Sequence, residues 1–274
     1  MTRRQIVRTP MYLASYAISL TTLFPIYYLV DTALKTDTEY DRSPLGLVHH
    51  PIWTNFSNAW TQLGLDHDIL HSLVVSGGGA VLCVLVSTSA GFGLSQLSGR
   101  LSNAVLMVIV GFLMITPPVI VIPLYVLMVH LGLANTLLGA ILAYGALFAP
   151  FGVYMSTTFF REIPREILEA ARIDGTGVMQ TVRFVVLPLG RPVLATLGVL
   201  LFVWIWNDLL FALVLLQTPG TRTAMVAISG LIGQYNLSYP ALTAALLMAM
   251  VPTLLVFFAF QSRLQRGLTM GAVK

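Results

Sequence analysis

Leu101–Phe160 reads LSNAVLMVIVGFLMITPPVIVIPLYVLMVHLGLANTLLGAILAYGALFAPFGVYMSTTFF and contains no Asp, Glu, Lys or Arg. A helix needs about 20 apolar residues to cross the hydrocarbon core of a bilayer, so this stretch is long enough for two crossings. It must turn between them, and His130–Thr136, HLGLANT, has the glycine and asparagine of a short connector. Thr223–Ser262 is equally free of charge and holds one more crossing plus a loop.

The rest of the chain follows the same pattern. Of its 274 residues 57% are hydrophobic and 9% charged, and the mean hydropathy is +0.83. A water-soluble domain carries about a quarter charged residues, so water is not the main solvent here. Apolar runs bounded by polar residues predict six spans, near 11–32, 71–97, 104–128, 136–159, 192–216 and 238–261. The first follows Arg3, Arg4 and Arg8, as a secretory signal would. Met11–Val30 is too long for a signal core, however, and no small-residue cleavage site closes it, so a retained span is expected.

Basic residues favour the cytoplasmic side of a membrane. In the six-span layout one side collects Arg3, Arg4, Arg8, Arg100, Arg161, Arg165, Arg172, Arg183, Arg191, Arg263, Arg266 and Lys274; the other has Lys35, Arg42 and Arg222. The expected fold is therefore an all-α membrane protein with six transmembrane helices and both termini cytoplasmic. It divides into 1–70, the first span with an external loop, and 71–274, the core with a cytoplasmic loop 161–191 and a tail 262–274. The basic residues are scattered between spans and form no face that could follow a phosphate backbone, so no nucleic-acid partner is expected. Cys83 is the only cysteine, which excludes an internal disulfide and a multi-cysteine metal site.

Arg161–Pro192 reads REIPREILEAARIDGTGVMQTVRFVVLPLGRP. Pro164 suits the first turn of a helix, Glu166 and Glu169 its N-terminal half, and Gly175 the positive φ that ends it. A second amphipathic piece is expected to stop at Pro188, leaving a helix, a glycine turn and a short helix outside the membrane. Helix signals alone fit a solvated loop and a docking element equally.

The run Glu169, Ala170, Ala171, Asp174, Gly175, Phe184, Leu187, Pro188 resembles the EAA loop of membrane subunits of binding-protein-dependent ABC importers. The resemblance implies a coupling helix between spans 4 and 5 that sits in a groove of an ATPase subunit. The ending Gly267, Leu268, Thr269, Met270, Gly271, Ala272, Val273, Lys274 is similar to the tails of carbohydrate permeases of the maltose-transporter type, specifically the MalG-like partner of the pair. Trp206, Asn207, Asp208 and the external Gln234, Tyr235, Asn236 resemble that subfamily too. Implied partners are a second, MalF-like permease, two ATPase subunits that bind ATP and Mg, an extracytoplasmic solute-binding protein and a sugar. Implied contacts are the tail with the ATPase and Gln234–Asn236 with the binding protein, all in the inner membrane of a prokaryote.

Asp208 is the one charge set well inside an apolar span, a costly placement unless it faces a cavity or a partner group. Trp204 and Asn207 share its helical face by i, i+3 and i, i+4 spacing, and aromatic faces beside amides and carboxylates suit a sugar. Sugar pathway and interhelical glue are both open for this cluster, as pathway lining and packing are for Tyr144. Pro117, Pro118 and Pro123 interrupt the third span, by a kinked gate or by ordinary kinking. Gly77, Gly78 and Gly79 would let helices approach. His67 and His71 stand at i, i+4 on the external loop without a third clear ligand, so no metal is expected. No GxxxxGK[ST] sequence occurs, so this chain needs another subunit for P-loop ATP hydrolysis and carries no cofactor.

A membrane-embedded enzyme or a channel would be the other classes, but one intramembrane charge and no filter sequence give them little. A glycerol-phosphate or other polyol importer is the nearer alternative, disfavoured because no deep position is Lys or Arg. The topology is testable in intact cells. Cysteines introduced in 33–70 and 217–237 are expected to react with an impermeant thiol reagent, and cysteines in 161–191 to be spared; labelling of 161–191 would refute six spans.

Overall fold

The computed structural model describes residues 21–97, 99–232 and 238–270, all helices and connections. Helix α1 covers 21–33 within the described part, followed by α2 (Asp37–Arg42), α3 (Thr54–Thr61), α4 (Leu65–Gln96), α5 (Gly99–Leu113), α6 (Pro117–His130) and α7 (Leu137–Arg161). Then come α8 (Arg165–Ile173), α9 (Val178–Thr181), a π-helical turn (Val182–Val186), α10 (Leu187–Asn207), α11 (Leu210–Leu215), α12 (Ala224–Ile232) and α13 (Tyr239–Met270). Among the described residues four helices are long and apolar enough to cross a membrane: Leu65–Gln96, Leu137–Arg161, Val178–Asn207 and Tyr239–Gln261. The expected first span lies partly outside the described residues.

Three expectations need correction. The third span is not one helix: α5 and α6 meet at 97° across residues 114–116. Pro117 and Pro118 supply no N–H, and a residue before proline is pushed out of the α region. Thr116 accordingly sits at φ −71° and ψ 139°, ending one arm and starting the next. The second amphipathic piece, after Gly175, does not stop at Pro188; it runs through the π turn into α10 as one helix. There the Leu187 N–H reaches back to the Val182 carbonyl, a widened turn that accommodates the proline that follows. His67 and His71 lie on α4, which starts at Leu65, rather than on a loop.

The described residues form two units, one drawn from Met1–His67 and Ala227–Val251, the other from Asp68–Val226 and Pro252–Lys274. In the first, Lys35 is fully buried. Its Nζ pairs with Asp31 at 2.7 Å and donates to the carbonyls of Ser43, Pro44 and Gly46. Asp31 Oδ1 accepts from the Val48 N–H at 2.9 Å, and the Asn55 side chain donates to the carbonyls of Ala33 and Lys35. A buried cation is tolerated only when paired and hydrogen-bonded, and here it staples the loop of residues 43–55 to the end of α1.

In the second unit α4 and α7 approach through small residues. A β-carbon at Gly91 would stand 2.6 Å from Ser156 Cβ and 3.0 Å from the Thr157 nitrogen, and one at Gly145 2.6 Å from Leu82. Of the Gly77–Gly79 run, Gly78 packs on Ile141 and Gly79 on Ile205 and Tyr144, whereas Gly77 faces open space. At the far end of α7, Arg161 donates to Ser102 at 2.7 Å and Asn103 at 2.9 Å, and Ser102 donates to the Leu94 carbonyl. Before α12, Arg222 grips both oxygens of buried Asp68, at 3.1 and 3.0 Å. The His71 ring lies against the Arg222 carbonyl, so the acidic neighbour of that histidine pair is held by an arginine.

Gly91→Leu is expected to lower the thermal unfolding midpoint of the purified complex, overpacking costing about 1–3 kcal/mol. Gly93→Leu, where nothing lies within 4 Å, is expected to leave the midpoint unchanged. Equal midpoints for the two variants would refute the close α4–α7 contact.

Candidate functional site

The polar cluster expected in one long fifth span is built across a break. Helix α10 ends at Asn207; Asp208, at φ −72° and ψ 128°, is extended, and α11 starts two residues later. Asp208 therefore does not share a helical face with Trp204 and Asn207. The cause is local competition: the Asp208 carboxylate accepts from the backbone of the next helix, from Phe211 N–H at 2.9 Å and Ala212 N–H at 3.2 Å. An aspartate satisfies the orphan donors of a helix start in this way. The buried Tyr144 hydroxyl of α7 donates to the same oxygen, Oδ2, at 2.7 Å. Oδ2 is thus structural, and Oδ1 has no partner among the described residues.

Around this carboxylate lies a row of rings. Tyr144 stacks on Phe148 at 6.4 Å and meets Phe211 edge-on at 6.4 Å, while Trp204 lies 5.7 Å from Phe148 and 4.9 Å from Phe151. Trp204 remains 41% exposed and Asn207 is exposed, its amide donating to the Val203 carbonyl of its own helix. Trp206 points the other way, buried against Phe202. Phe148 and Phe151 are absent from the sequence reading; their signal was spacing, one and two turns after Tyr144 on the same face.

The second candidate is the segment from Arg161 to α10. Gly175 has φ +77° and ends α8, with the Asp174 and Thr176 amides closing on the carbonyls of Ala170 and Ala171. Leu168 and Ala171 face inward, Leu168 joining a core with Phe92, Phe160, Ile163 and Val186. Glu169, Ala170, Asp174 and Gly175 are all exposed, and so are Ile173 at 86% and Met179 at 77%. Leu187 and Pro188 stand at the start of α10, beside Arg183 and Arg191. The structure therefore puts the expected coupling residues on one helix–turn–helix and the expected pathway residues at the break beyond Asn207. Gly267, Leu268 and Thr269 fall on the last turns of α13; Gly271, Lys274, Gln234, Tyr235 and Asn236 lie outside the described residues.

Among solved structures the chain is similar to a bacterial ABC transporter involved in the import of the acidic polysaccharide alginate. That match has a TM-score of 0.81 at 20% identity and covers 96% of this chain and 98% of that one; at this identity it speaks for the fold. Among curated proteins the chain is 34% identical over 254 residues to the melibiose/raffinose/stachyose import permease protein MelC of Bacillus subtilis, covering 91% of each. It is 31% identical to the sulfoquinovosyl glycerol transport system permease protein SmoH of Agrobacterium fabrum, over 96% of this chain and 93% of that one. A family model described as "Binding-protein-dependent transport system inner membrane component" matches residues 84–270. With a long charge-free core, an exposed glycine-ended helix between two apolar helices and these matches, the chain belongs to the family of inner-membrane components of binding-protein-dependent transport systems.

Proposed function

We propose that this chain is the permease subunit that passes a sugar across the cytoplasmic membrane in an ATP-driven importer, with six crossings and both termini cytoplasmic. The observation that carries the reading is the α8 segment. It holds exposed acidic groups at Glu169 and Asp174 beside exposed Ile173, outside the apolar spans, with exposed Val178 and Met179 on the first turn of the long helix that follows. Apolar side chains left in water mark a surface made for a partner, and the ATPase subunit is the partner the EAA resemblance implies. Exposed Ala170 allows close approach while Ala171 packs inward and seats the helix, Glu169 and Asp174 meet cationic groups, and Leu187 and Pro188 pass movement into α10. The tail residues Gly267, Leu268, Thr269, Gly271 and Lys274 add a contact with the ATPase pair. Gln234, Tyr235 and Asn236 meet the solute-binding protein outside, and a MalF-like permease completes the pathway.

The sugar reading draws support from the relatives, whose names include a melibiose/raffinose/stachyose permease and a diacetylchitobiose uptake permease. It also suits the site: Trp204 offers a ring face, Asn207 an amide, and Asp208 Oδ1 an acceptor for a hydroxyl. A carboxylate with no cation in the deep cluster repels an anionic cargo, which disfavours a glycerol phosphate.

A β-carbon at Gly175 would meet nothing within 4 Å, so a substitution there acts through φ alone. Gly175→Val costs about 1–3 kcal/mol of local strain and is expected, like Glu169→Lys, to abolish stimulated ATP hydrolysis and uptake while binding-protein affinity stays unchanged. Normal uptake by both variants would overturn the coupling role.

The break at Asp208 separates lining from support. Asp208→Asn keeps an oxygen to cap α11, so the complex is expected to assemble with impaired uptake, whereas Asp208→Ala loses yield as well. Asn207→Ala, which gives up a single bond within its own helix, is expected to reduce uptake with assembly and basal hydrolysis intact. Loss of assembly in step with uptake for Asn207→Ala would overturn the pathway reading.

A further inference from the structure

Two cavities along α10 share a wall. One, of about 880 Å³, opens beside Arg183, Leu187, Pro188, Arg191 and Pro192 and reaches Leu194 and Ala195. The other, of about 370 Å³, continues from Leu194 and Ala195 past Gly198 to Phe202, closed by Gly77 and Val84 of α4 and Val256 of α13. The first has two guanidinium groups at its mouth, and every residue lining the second is apolar. Both arginines are exposed, and among the described residues neither has a carboxylate within ion-pair distance. Eight residues separate them, about 12 Å of helix at 1.5 Å per residue. The π turn between them takes more residues per revolution and so brings Arg191 round to the face of Arg183. Arg183 lies over the Phe184 ring at 5.6 Å, a contact that leaves its charge uncompensated, and two such cations facing one cavity repel each other and together favour an anion.

We propose that this groove holds one anionic phospholipid of the surrounding bilayer, its phosphate between Arg183 and Arg191 and an acyl chain laid against Gly198 and Phe202. The proposal rests on the topology argued above, in which the Arg183 end of α10 is cytoplasmic, the side whose leaflet attracts basic residues. The inner cavity runs along α10 from Leu194 to Phe202, about 12 Å at 1.5 Å per residue, and its wholly apolar wall suits an acyl chain. Gly77 and Gly198 keep it open. A β-carbon at Gly77 would meet nothing within 4 Å and one at Gly198 only Val84 at 3.7 Å, so neither glycine is required by packing. The head of the lipid also touches Leu187 and Pro188, which places it against the coupling segment.

The test uses the whole importer, this chain with its partner permease and ATPase subunits, equilibrated with equal amounts of phosphatidylglycerol and phosphatidylcholine and weighed with its retained lipid by native mass spectrometry. The wild type is expected to retain phosphatidylglycerol preferentially. Arg183→Gln and Arg191→Gln are each expected to lower that retention about fivefold, a basic side chain near an anionic leaflet contributing about 1 kcal/mol. Gly198→Leu is expected to lower it with both arginines in place, and Arg100→Gln, a cation outside the groove, to leave it unchanged. Unchanged retention in the double arginine variant, equal loss in Arg100→Gln, or a cross-link between Gly198→Cys and the partner permease would each overturn the proposal. Subunit composition is read from the same spectra, so an importer that lacks its ATPase subunits refutes the functional reading separately.

Discussion

Backbone N–H and C=O groups have no water to turn to in hydrocarbon, and every place where a helix stops at membrane depth must find them partners. Among the described residues two of the expected spans are interrupted, and each break is resolved differently. At 114–116 the N–H groups of Met114 and Ile115 fold back onto the carbonyls of Gly111 and Phe112, and the prolines that follow have no N–H to satisfy. At 208–209 a carboxylate does the work, taking two backbone amides and a tyrosine hydroxyl on one oxygen. The turn between α6 and α7 uses the same logic from the side: Asn135, at φ +57°, accepts from the Gln217 amide while its own N–H goes to the Leu215 carbonyl. These bonds hold α11 against α6 and α7 and so fix where Asp208 sits.

The apolar runs were legible because composition alone decides them; a charge-free stretch such as Leu101–Phe160 has no other stable solvent. The glycine-ended helix was legible too, since Pro164, Glu166 and Gly175 each state a local preference that α8 then obeys. What sequence reading did not give is the outcome of contests between local and tertiary forces. Pro117 announces a disturbance, yet the size of the 97° turn depends on what packs beside α6. Asn207 and Asp208 are residue types that start helices, but flanking apolar residues on both sides masked the stop. Lys35 counts as an external charge by position. Its burial depends on three carbonyls eight to eleven residues onward, which no periodicity encodes.

The candidate pathway cluster shows a division of labour within one side chain. Oδ2 of Asp208 maintains the helix break, and Oδ1 is left for other work, so support and recognition are not exclusive readings of this residue. The same holds for Tyr144, whose ring joins the aromatic row while its hydroxyl serves the carboxylate. Polar atoms at membrane depth are expensive, and using one carboxylate twice limits how many are needed.

The unbroken helical path from Val178 to Asn207 has a mechanical consequence. Thirty residues at 1.5 Å each make a rod about 45 Å long, with the glycine-ended α8 at one end and the Asp208 break at the other. A rod of that length is a lever: tilting it by about 5° about its inner end sweeps the outer end through about 4 Å. That is on the order of one helical turn's pitch, about 5.4 Å, so a small rotation imposed at the α8 end becomes a displacement comparable to a side chain at the far end. The hinge for such a stroke already exists in the extended residue at 208, where the rod ends and the next helix is positioned by hydrogen bonds instead of by continuous helix.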